Sequence, residues 1–334
     1  MSDSVRLASI GLGWWGEVLA TKTSTLGQAE IVSCYARTPE PRAAFAERHG
    51  CRQADSLEAL LDDPEVEGVL VATSHTTHRE LIEAAAAAGK HVFVEKPLTL
   101  SVADAKASIA AAEEAGIVLQ VGHQRRRTAA NRRIKQMIEG GDLGDLELIE
   151  THQSVPNALS EQKMPPEAWR RSKAESPLGG MTSLGVHKID TLTYLAGPIG
   201  TVFTFTKSNR AEAPFDDATV LALELESGVL ATLATSFFVP MISRVNVFGT
   251  RASAFNDHDG RTLFVQETGS ADRTEVELEE VDPVADQLAE FARCVRGEAT
   301  PETGGAEGLE VIAVMQAAVE SAETGLPVAV SSHR

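Results

Sequence analysis

The chain has 334 residues, 43% hydrophobic content and a formal net charge of -18. This length and composition allow a large buried core, divided between two domains. The acidic balance argues against a nucleic-acid partner, because phosphate contacts need clustered Lys and Arg. The three cysteines are widely spaced and predict free thiols in a reducing compartment. No stretch approaches the roughly 20 apolar residues of a membrane helix, and the N-terminus runs directly into a strand pattern without a signal peptide. A cytoplasmic protein without a membrane partner is therefore expected.

Strand and helix patterns alternate over the first 123 residues. Apolar strand patterns begin near Val5, Ile31, Val66, His91 and Ile117. Helical patterns lie between them, at Pro41–His49, Thr76–Gly89 and Ser101–Gly116. This alternation predicts βαβ units and an α/β domain with a doubly wound parallel sheet over residues 1–123.

The first turn of this domain reads Gly11-Leu12-Gly13-Trp14-Trp15-Gly16, directly after the first strand pattern. In a GxGxxG turn that opens a helix, the first glycine permits the tight turn and the second lets the backbone approach a pyrophosphate. The third lets the helix pack closely on the sheet. A purely structural turn can share the pattern, but its position between strand and helix favours a dinucleotide site. We predict cofactor contacts at Gly11, Leu12, Gly13, Trp14, Trp15 and Gly16.

The residues at the end of the second strand pattern are expected to bind the adenosine ribose of the dinucleotide. An NAD enzyme usually places Asp or Glu there, whereas this chain has Ala36-Arg37-Thr38. Without a carboxylate a 2′-phosphate is not repelled, and Arg37 can pair with it. The alternative is that Arg37 stacks on adenine or lies in solvent, and arginine tolerates both cofactors. We predict that Ala36, Arg37 and Thr38 bind the cofactor and that NADP is favoured over NAD.

The loop after the third of these strand patterns lies at the carboxyl edge of the sheet, where ligands bind in open α/β folds. We predict that it lines the cofactor cleft with Thr73, Ser74, His75 and His78. His75 and His78 are three residues apart and could share a metal ion. No third ligand of matching spacing follows, so no metal site is predicted.

A second strand end, His91-Val92-Phe93-Val94-Glu95-Lys96-Pro97, reaches the same edge of the sheet. The apolar run predicts a short buried strand, and the proline stops further strand pairing. Glu95 is expected to fix this loop beside the cofactor. Lys96, an ammonium at the ligand-binding edge, is the first candidate for a catalytic group and for a cofactor contact.

With the glycine turn, the Thr73–His78 loop and Glu95-Lys96-Pro97 in that order, the chain resembles the Gfo/Idh/MocA family of NAD(P)-dependent oxidoreductases. The second signature of that family, G-G-x-x-x-D-x-x-x-H-x-x-D with slight variation at the glycines, resembles the segment Gly179–Asp190. The resemblance covers nearly the whole length. It implies a Rossmann domain followed by an α+β domain with a large, mostly antiparallel sheet, here placed at residues 124–334. It also implies a sugar, inositol or related polyol as substrate, and a homo-oligomer, dimer or tetramer, formed through that sheet.

The chain departs from this signature four residues before His187. The family usually carries an aspartate there that helps to bind substrate and orient the catalytic groups, whereas this chain has Ser183. A hydroxyl can hydrogen-bond a substrate oxygen, but it brings no negative charge to tune Lys96 or His187. Either a polyol is held differently, or the substrate carries a group that a carboxylate would repel, or catalysis is lost.

Other predicted substrate contacts lie in the second domain and at its start. By resemblance the segment after the fifth strand pattern passes close to the nicotinamide, which makes His123, Gln124 and Arg126 candidate contacts. Arg127, Arg132 and Arg133 are expected to form a solvated helix start. Trp169 belongs to a Trp-Arg pair that the family often places before the second signature; it walls the sugar site or only anchors its loop.

A helix is predicted over Met181–Leu195. Its α-helical spacing places Ser183, His187 and Asp190 on one face. Such a polar face is costly to bury without partners, so a cleft is the favoured interpretation. The polar, proline-rich segment Asn157–Pro177 before it is expected to be a long loop.

Alternating patterns dominate the rest of the chain and predict an antiparallel sheet with one covered face. The predicted strands are Asp145–Ser154, Val202–Lys207, Ala218–Glu226, Val229–Ser236, Arg244–Gly249, Thr262–Gln266 and Thr274–Leu278. The predicted helices are Thr128–Glu139, Pro283–Arg296 and Gly304–Gly325. Asp257-His258-Asp259-Gly260 is interpreted as a solvated hairpin turn.

These observations lead to a hypothesis of hydride transfer between the nicotinamide C4 and a carbinol or carbonyl carbon of a sugar, inositol or related polyol. Lys96 and His187 are the catalytic candidates, one as acid or base and the other as the group that orients and polarises. Two alternatives stay open. One is an oxidoreductase for a carboxylated or non-sugar ring compound, and the other is a catalytically silent sensor that binds NADP and a sugar.

Overall fold

A computed structural model describes residues 4–156, 168–209 and 215–334. The first part of the predicted loop, 157–167, lies outside these residues. Contacts between Cα atoms divide the chain into two compact units. The first unit is Met1–Gln124 with Asp282–Leu309, and the second is Arg125–Val281 with Glu310–Arg334. The sequence assigned all of 124–334 to one domain, so the packing of Asp282–Leu309 with the first unit is a finding that the patterns did not predict.

Strands of the described residues fall into two sheets, one in each unit. The first sheet contains β1 (Val5–Ile10), β2 (Ala29–Tyr35), β3 (Arg52–Gln53), β4 (Gly68–Val71), β5 (His91–Glu95) and β6 (Leu119–Gly122). The second contains β7 (Leu146–Ser154), β8 (Ile199–Lys207), β9 (Ala218–Leu225), β10 (Leu230–Ser236), β11 (Ile242–Gly249), β12 (Ala252–Asp257), β13 (Thr262–Glu267), β14 (Thr274–Glu275) and β15 (Val328–Ala329).

The α-helices of the described residues are α1 (Trp14–Thr23), α2 (Pro39–His49), α3 (Leu57–Leu61), α4 (His78–Ala87), α5 (Val102–Ala115), α6 (Ala129–Glu139), α7 (Val186–Ala196), α8 (Pro283–Val295) and α9 (Gly305–Thr324). Most of them lie near predicted positions, whereas α3 was not predicted and α7 begins later than expected. Local chemistry sets several ends. The Ser101 hydroxyl accepts from the Asp104 N–H at 3.1 Å and begins α5, and Gly116 ends it at φ 66°.

The first sheet is parallel throughout, in the order β3-β2-β1-β4-β5-β6. The strand order reverses direction at β1, the first strand of the chain, which is the arrangement of a doubly wound α/β fold. Val69, Val71, Val92 and Val94 are completely buried, as strands covered on both faces require. The predicted Rossmann sheet is confirmed, and it places the ends of β1, β4 and β5 at one carboxyl edge.

Helix α8 joins the core of the first unit, although it lies more than 150 residues further along the sequence. Its apolar positions Leu288, Phe291 and Ala292 are at most 1% exposed. They pack with Val5, Leu7, Leu19, Ala29, Leu70 and Phe93. The rings of Phe93 and Phe291 meet edge to face, with centroids 5.8 Å apart. This apolar stripe at i, i+3 and i+4 explains why Asp282–Leu309 belongs with the first sheet.

The second sheet runs in the order β14-β13-β12-β11-β7-β10-β9-β8-β15. Its pairs are antiparallel except β7 with β10, which is parallel. The predicted large, mostly antiparallel sheet is confirmed. The predictions missed β12, because its sequence Ala-Ser-Ala-Phe-Asn-Asp is poor in strand-forming residues. Pairing with β11 on one side and β13 on the other overrides that weak propensity.

The predicted helix Met181–Leu195 is not one continuous α-helix. Residues Met181–Gly185 form a turn of π-helix, with i→i+5 geometry, and α7 begins only at Val186. His187 and Asp190 therefore keep the predicted α-helical spacing. Ser183 lies in the π turn, so α-helical spacing does not hold between Ser183 and His187, and their sharing of one face stays a prediction. Turns of π-helix inside helices often accompany functional sites.

Within the described ranges, no helix combines the length and apolar character that crossing a membrane requires. The same residues hold no group of three or more His, Cys, Asp or Glu side chains arranged for a metal ion.

Candidate active site

The glycine turn joins β1 to α1 and has the shape that a pyrophosphate needs. Gly11 has φ +89°, and a Cβ there would lie 2.5 Å from the Ala72 carbonyl oxygen. A Cβ on Gly16 would lie 2.1 Å from the Gly11 carbonyl oxygen. Gly13 differs, because a Cβ there would meet no atom within 4 Å. Gly11 and Gly16 are thus required by the fold, whereas Gly13 leaves open space at the first turn of α1, where backbone N–H groups can bind an anion.

The apolar residues of this turn have different environments. Leu12 packs against the buried cluster of Ala20, Cys34, Phe45 and Ala46. Trp14 is 71% exposed, and its ring meets that of Trp15 edge to face at 4.7 Å. The Leu12 side chain therefore belongs to the core, so a cofactor contact there would come from its backbone. Trp14 leaves a large aromatic surface open beside the turn.

The end of β2 carries the predicted ribose-binding residues. Ala36 is partly buried, whereas Arg37 and Thr38 are exposed, and Thr38 is the N-cap residue of α2. The strand ends at Tyr35, and the first carboxylate after it is Glu40, inside α2. An exposed guanidinium, with no carboxylate at positions 36–39 after the strand, is suited to an anionic group.

The loop after β4 is held against both the glycine turn and the strand end at β5. The Thr73 methyl group would lie 2.8 Å from a Cβ on Gly11, and the Thr73 hydroxyl lies 2.8 Å from that of Thr77. The His78 Nδ1 lies 2.9 Å from the Pro97 carbonyl oxygen, and His75 and His78 meet edge to face at 5.8 Å. Both histidines are buried. Ser74 is partly buried in the same loop.

Lys96 directly follows β5 and is partly buried, and its peptide bond to Pro97 is cis. The preceding Glu95 is 4% exposed. It pairs with Gly122 on β6, where a Cβ would lie 3.0 Å from the Glu95 Oε1. The absence of a side chain at Gly122 makes room for the buried carboxylate.

His123 and Gln124 follow β6 directly. They are 0% and 4% exposed. The first unit thus brings the glycine turn, the 73–78 loop and the Lys96 segment to one edge of the sheet, with His123 and Gln124 buried at the end of the neighbouring strand.

In the second unit the structure brings Arg126 and Asp190 together. The Arg126 Nη2 donates to Asp190 Oδ1 at 2.6 Å, and its Nε donates to Oδ2 at 3.1 Å. The two side chains are 6% and 0% exposed, and the guanidinium lies 5.1 Å from the centre of the Tyr194 ring. A buried bidentate pair is geometrically specific and holds both groups rigidly. Whether either residue also contacts substrate stays a prediction.

His187 lies one helical turn before Asp190 on α7 and is 4% exposed. Ser183 is partly buried in the π turn. Trp169 and Arg170 lie in a short 3-10 turn, with the guanidinium carbon 4.1 Å from the indole centre. This contact supports Trp169 as a rigid part of its loop.

The expectation of a solvated arginine run was wrong for Arg127. That side chain is 1% exposed, and Arg132 and Arg133 are partly buried rather than solvated. Arg125 also makes specific contacts, since it forms an ion pair with Asp259. Burial lowers the pKa of Arg125 to about 10. Charge runs usually mark solvent-exposed faces, and here tertiary partners override that tendency.

Sequence reasoning also missed Lys188, which is 3% exposed on α7. Its ammonium donates to the Ser243 hydroxyl at 3.2 Å. The available signal was its position between Val186 and Ile189, inside an apolar helix. The hairpin turn that holds Asp259, a partner of Ser243, lies where it was predicted, with φ 50° at His258 and 62° at Asp259. That turn is not simply solvated, because Asp259 points to Ser243 and Arg125.

Comparison with known proteins supports both halves of the architecture. Residues 5–123 match the Gfo/Idh/MocA oxidoreductase family in its NAD-binding Rossmann fold, and residues 135–330 match the family's C-terminal alpha/beta domain. The chain is 29% identical over 309 residues to 1,5-anhydro-D-fructose reductase of Ensifer adhaerens, covering 89% of this chain and 90% of that protein. It is 26% identical to myo-inositol 2-dehydrogenase of Thermotoga maritima, covering 96% of each.

A solved structure extends this similarity to three dimensions. The crystal structure of a proposed NADPH-dependent oxidoreductase from Desulfitobacterium hafniense superimposes with a TM-score of 0.94 and 32% identity. The match covers 100% of this chain and 99% of that one.

Proposed function

This chain belongs to the Gfo/Idh/MocA family of oxidoreductases, and on that premise we propose that it transfers a hydride between nicotinamide C4 and a carbinol or carbonyl carbon of a sugar, inositol or related polyol. The observation that carries the proposal is the glycine turn between β1 and α1. Gly11 and Gly16 have no room for a side chain, while Gly13 opens onto free space. The names of the relatives, a sugar reductase and an inositol dehydrogenase, support the substrate class.

The residues of the first unit fit a dinucleotide. The glycine turn would hold the pyrophosphate, Ala36-Arg37-Thr38 the adenosine ribose, and Thr73, Ser74, His75 and His78 the side of the cleft. A bound nicotinamide supplies or accepts the hydride. The protein's own task is then to bind and orient the substrate and to move the hydroxyl proton.

We assign the proton transfer to Lys96 and the orientation and polarisation of the reacting oxygen to His187. Lys96 stands at the carboxyl end of a parallel strand, the edge where α/β sheets bind ligands. His187 stands on a helix whose next turn is fixed by the Arg126–Asp190 pair. Ser183, Trp169, Gln124, His123, Arg126 and Asp190 are proposed to shape the substrate site.

An absorbance screen at the band of reduced nicotinamide tests this function. Purified protein is mixed with NADP or NAD and a panel of sugars and inositols, or with the reduced cofactors and the corresponding keto compounds. We expect turnover with at least one polyol. Carboxylated ring compounds belong in the panel because Ser183 brings no repelling charge. Tight cofactor binding without turnover of any compound would favour the sensor.

The finer proposal on the cofactor is a preference for NADP over NAD. The absence of a carboxylate at the end of β2, the exposed Arg37 and the similarity to a proposed NADPH-dependent enzyme support it. We expect Arg37→Asp to lower kcat/KM for NADP relative to NAD by about 100-fold, because a 2′-phosphate loses a cation and meets an anion. Arg37→Ala, which only removes the cation, should have a smaller effect. An unchanged ratio in both variants would contradict the assignment.

A homo-oligomer formed through the second sheet is proposed from its exposed apolar residues. Phe205 is 66% exposed and Val220 44% exposed, and the two are direct cross-strand neighbours on β8 and β9. Leu230 on β10 is 55% exposed. Leu230 pairs with Glu224 and not with Val220, so the exposed apolar pair Phe205–Val220 is the part of the surface that favours an interaction site. We expect sedimentation velocity to show a dimer or tetramer. Val220→Glu should dissociate it fully, and Thr232→Glu at the sheet surface should dissociate it partly. A monomeric wild type would refute this proposal.

A cytoplasmic location is proposed from the thiols. Cys34 and Cys51 are free thiols, as a reducing compartment allows. Cell fractionation with an antibody against the protein tests this, and recovery in an oxidising compartment would contradict it.

A further inference from the structure

Lys188 lies on α7 in the second unit, and its ammonium is buried. The residue is 3% exposed, and its Nζ donates to the Ser243 Oγ at 3.2 Å. Across residues 125–156, 168–209, 215–281 and 310–334 no carboxylate forms an ion pair with it within 4.0 Å. Lysine is almost never fully buried without a paired charge, because removing an ammonium from water is costly. Such a position calls for a role that offsets the cost.

The Ser243 hydroxyl links Lys188 to a carboxylate. Ser243 Oγ accepts from Lys188 and donates to Asp259 Oδ1 at 2.8 Å. A hydroxyl has a single proton to donate. Ser243 donates it to Asp259, and the Gln153 Oε1, 3.2 Å away, is the more distant of the two possible acceptors. The Asp259 N–H also donates to the Ser243 carbonyl oxygen at 3.2 Å. The turn after β12 is thereby fixed to β11 through both backbone and side chain.

Asp259 also contacts the 3-10 turn formed by residues 124–127. Its carboxylate pairs with Arg125. The next residue, Arg126, makes the bidentate pair with Asp190 on α7. The contacts therefore close a ring: Lys188, Ser243, Asp259, Arg125, Arg126, Asp190 and back along the helix to Lys188. His187 directly precedes Lys188 on α7 and lies one turn before Asp190.

We infer that Lys188 is a positioning residue. It fixes the rotation of the first turn of α7 and its position along the helix axis, and thereby sets the orientation of the His187 imidazole. The inference rests on the proposed function of His187. The Arg126–Asp190 pair holds α7 at one point. The hydrogen bond from Lys188 to Ser243 holds the helix two residues earlier, on a different face, and adds to the contacts that fix its rotation. Placement to within a fraction of an ångström matters, since a displacement of about 1 Å can slow a reaction by about 100-fold.

The charge on Lys188 is sensitive to pH near neutrality. Burial, and then the nearby Arg125, lower its pKa to about 7. The groups facing it are Arg125 from the 3-10 turn, Asp259 from the hairpin turn and His152 from β7. Burial, Arg244 and Lys188 all lower the pKa of His152. Since the unfolded chain holds this proton up to roughly pH 10.4, the native state binds fewer protons between about 7 and about 10, and stability attributable to Lys188 rises with pH across that window.

Lys188→Met separates positioning from mere structural support. Methionine has a similar volume and no charge, so the variant should be more stable than wild type, with Tm higher by about 2–4 °C near neutral pH. Because the cost of the buried charge fades above about pH 7, the difference in Tm should shrink toward about pH 10. At the same time kcat should fall by about 10- to 100-fold, with KM for the cofactor unchanged. A residue with only a structural role would lose stability and activity together.

Two serine variants complete the design. Ser243→Ala breaks the same chain and should lower kcat by a similar factor, and the double variant should be no slower than the slower single variant. Ser321→Ala is the matched control. That serine is fully buried in the same unit and hydrogen-bonds the Thr204 N–H at 2.9 Å and the Leu326 carbonyl oxygen at 2.7 Å. It should lose stability but keep kcat.

The inference and the proposed function fail in different ways. A kcat equal to that of the wild type in both Lys188→Met and Ser243→Ala would overturn the positioning role. Absence of turnover by the wild type would instead refute the proposed function. In that case NMR of the His187 ring decides, with the signal identified by its loss in His187→Asn. The ring signals should move in Lys188→Met and Ser243→Ala and stay in Ser321→Ala; if they stay in all three, Lys188 does not position His187.

Discussion

Replacing Lys96 with methionine is expected to lower kcat by about 1,000-fold or more while leaving cofactor affinity nearly unchanged. Acid or base transfer by a positioned side chain contributes about 100- to 10,000-fold, and methionine fills a similar volume without a titratable group. Lys96 directly follows β5, and the neighbouring Pro97 carbonyl is held by His78. These contacts do not involve the ammonium, so the fold and the glycine turn should survive the change.

Steady-state rates and a fluorescence titration with NADPH measure the two effects separately. Lys106→Met is the control, since Lys106 is an exposed lysine on α5 of the same unit. It should match the wild type in both measurements. Substantial turnover by Lys96→Met would remove Lys96 from the proton transfer, and loss of NADPH binding would show that its main role is to hold the cofactor.

The second large effect distinguishes two glycines of one turn, Gly13 and Gly16. Gly13→Ala should fold normally, because the added Cβ would meet no atom within 4 Å and Gly13 has φ -77°. It should nevertheless weaken cofactor binding by about 10- to 100-fold, since the methyl group occupies the space through which the backbone approaches a pyrophosphate. Tm and NADPH affinity, measured on the same preparation, test this pair of expectations.

Gly16→Ala, by contrast, should lower the stability of the fold itself. Its Cβ would lie 2.1 Å from the Gly11 carbonyl oxygen, a backbone atom that cannot move without opening the turn. We expect a destabilisation of about 3 kcal/mol or more, with a correspondingly lower Tm. If Gly13→Ala binds NADPH as tightly as the wild type, or Gly16→Ala is as stable, the assignment of this turn is wrong.

The sequence was sufficient for elements whose signal is local. The strand at Val5–Ile10, the glycine turn after it and the helix that follows are visible as an apolar run, three glycines and a helical pattern. The alternation in β8, β9 and β10 similarly revealed the second sheet, because one face of each strand is buried. Helix α8 was also predicted at its observed position. Its membership of the first unit was not, since an apolar stripe does not tell which core it joins.

Features decided by distant partners could not be read from local patterns. Lys188 contacts Ser243 across 55 positions of sequence, and the apolar helix around Lys188 does not tell which partner its ammonium meets. Arg127 lies in a run of arginines that resembles a solvated surface, yet it is 1% exposed. The π turn at Met181–Gly185 also changes helical spacing where an α-helical pattern continues in the sequence. All three lie in the second unit, and the π turn contains Ser183, which is proposed to bind substrate.

The most direct test of the central claim follows deuterium. A polyol that reduces NADP in the absorbance screen is prepared with deuterium on the carbon to be oxidised, and the reduced cofactor is analysed by NMR. The proposed hydride transfer predicts one deuterium at nicotinamide C4, on a single face, and a slower rate with the labelled substrate. A reduced cofactor without deuterium at C4, or cofactor that binds tightly and is reduced by no member of the panel, would contradict it.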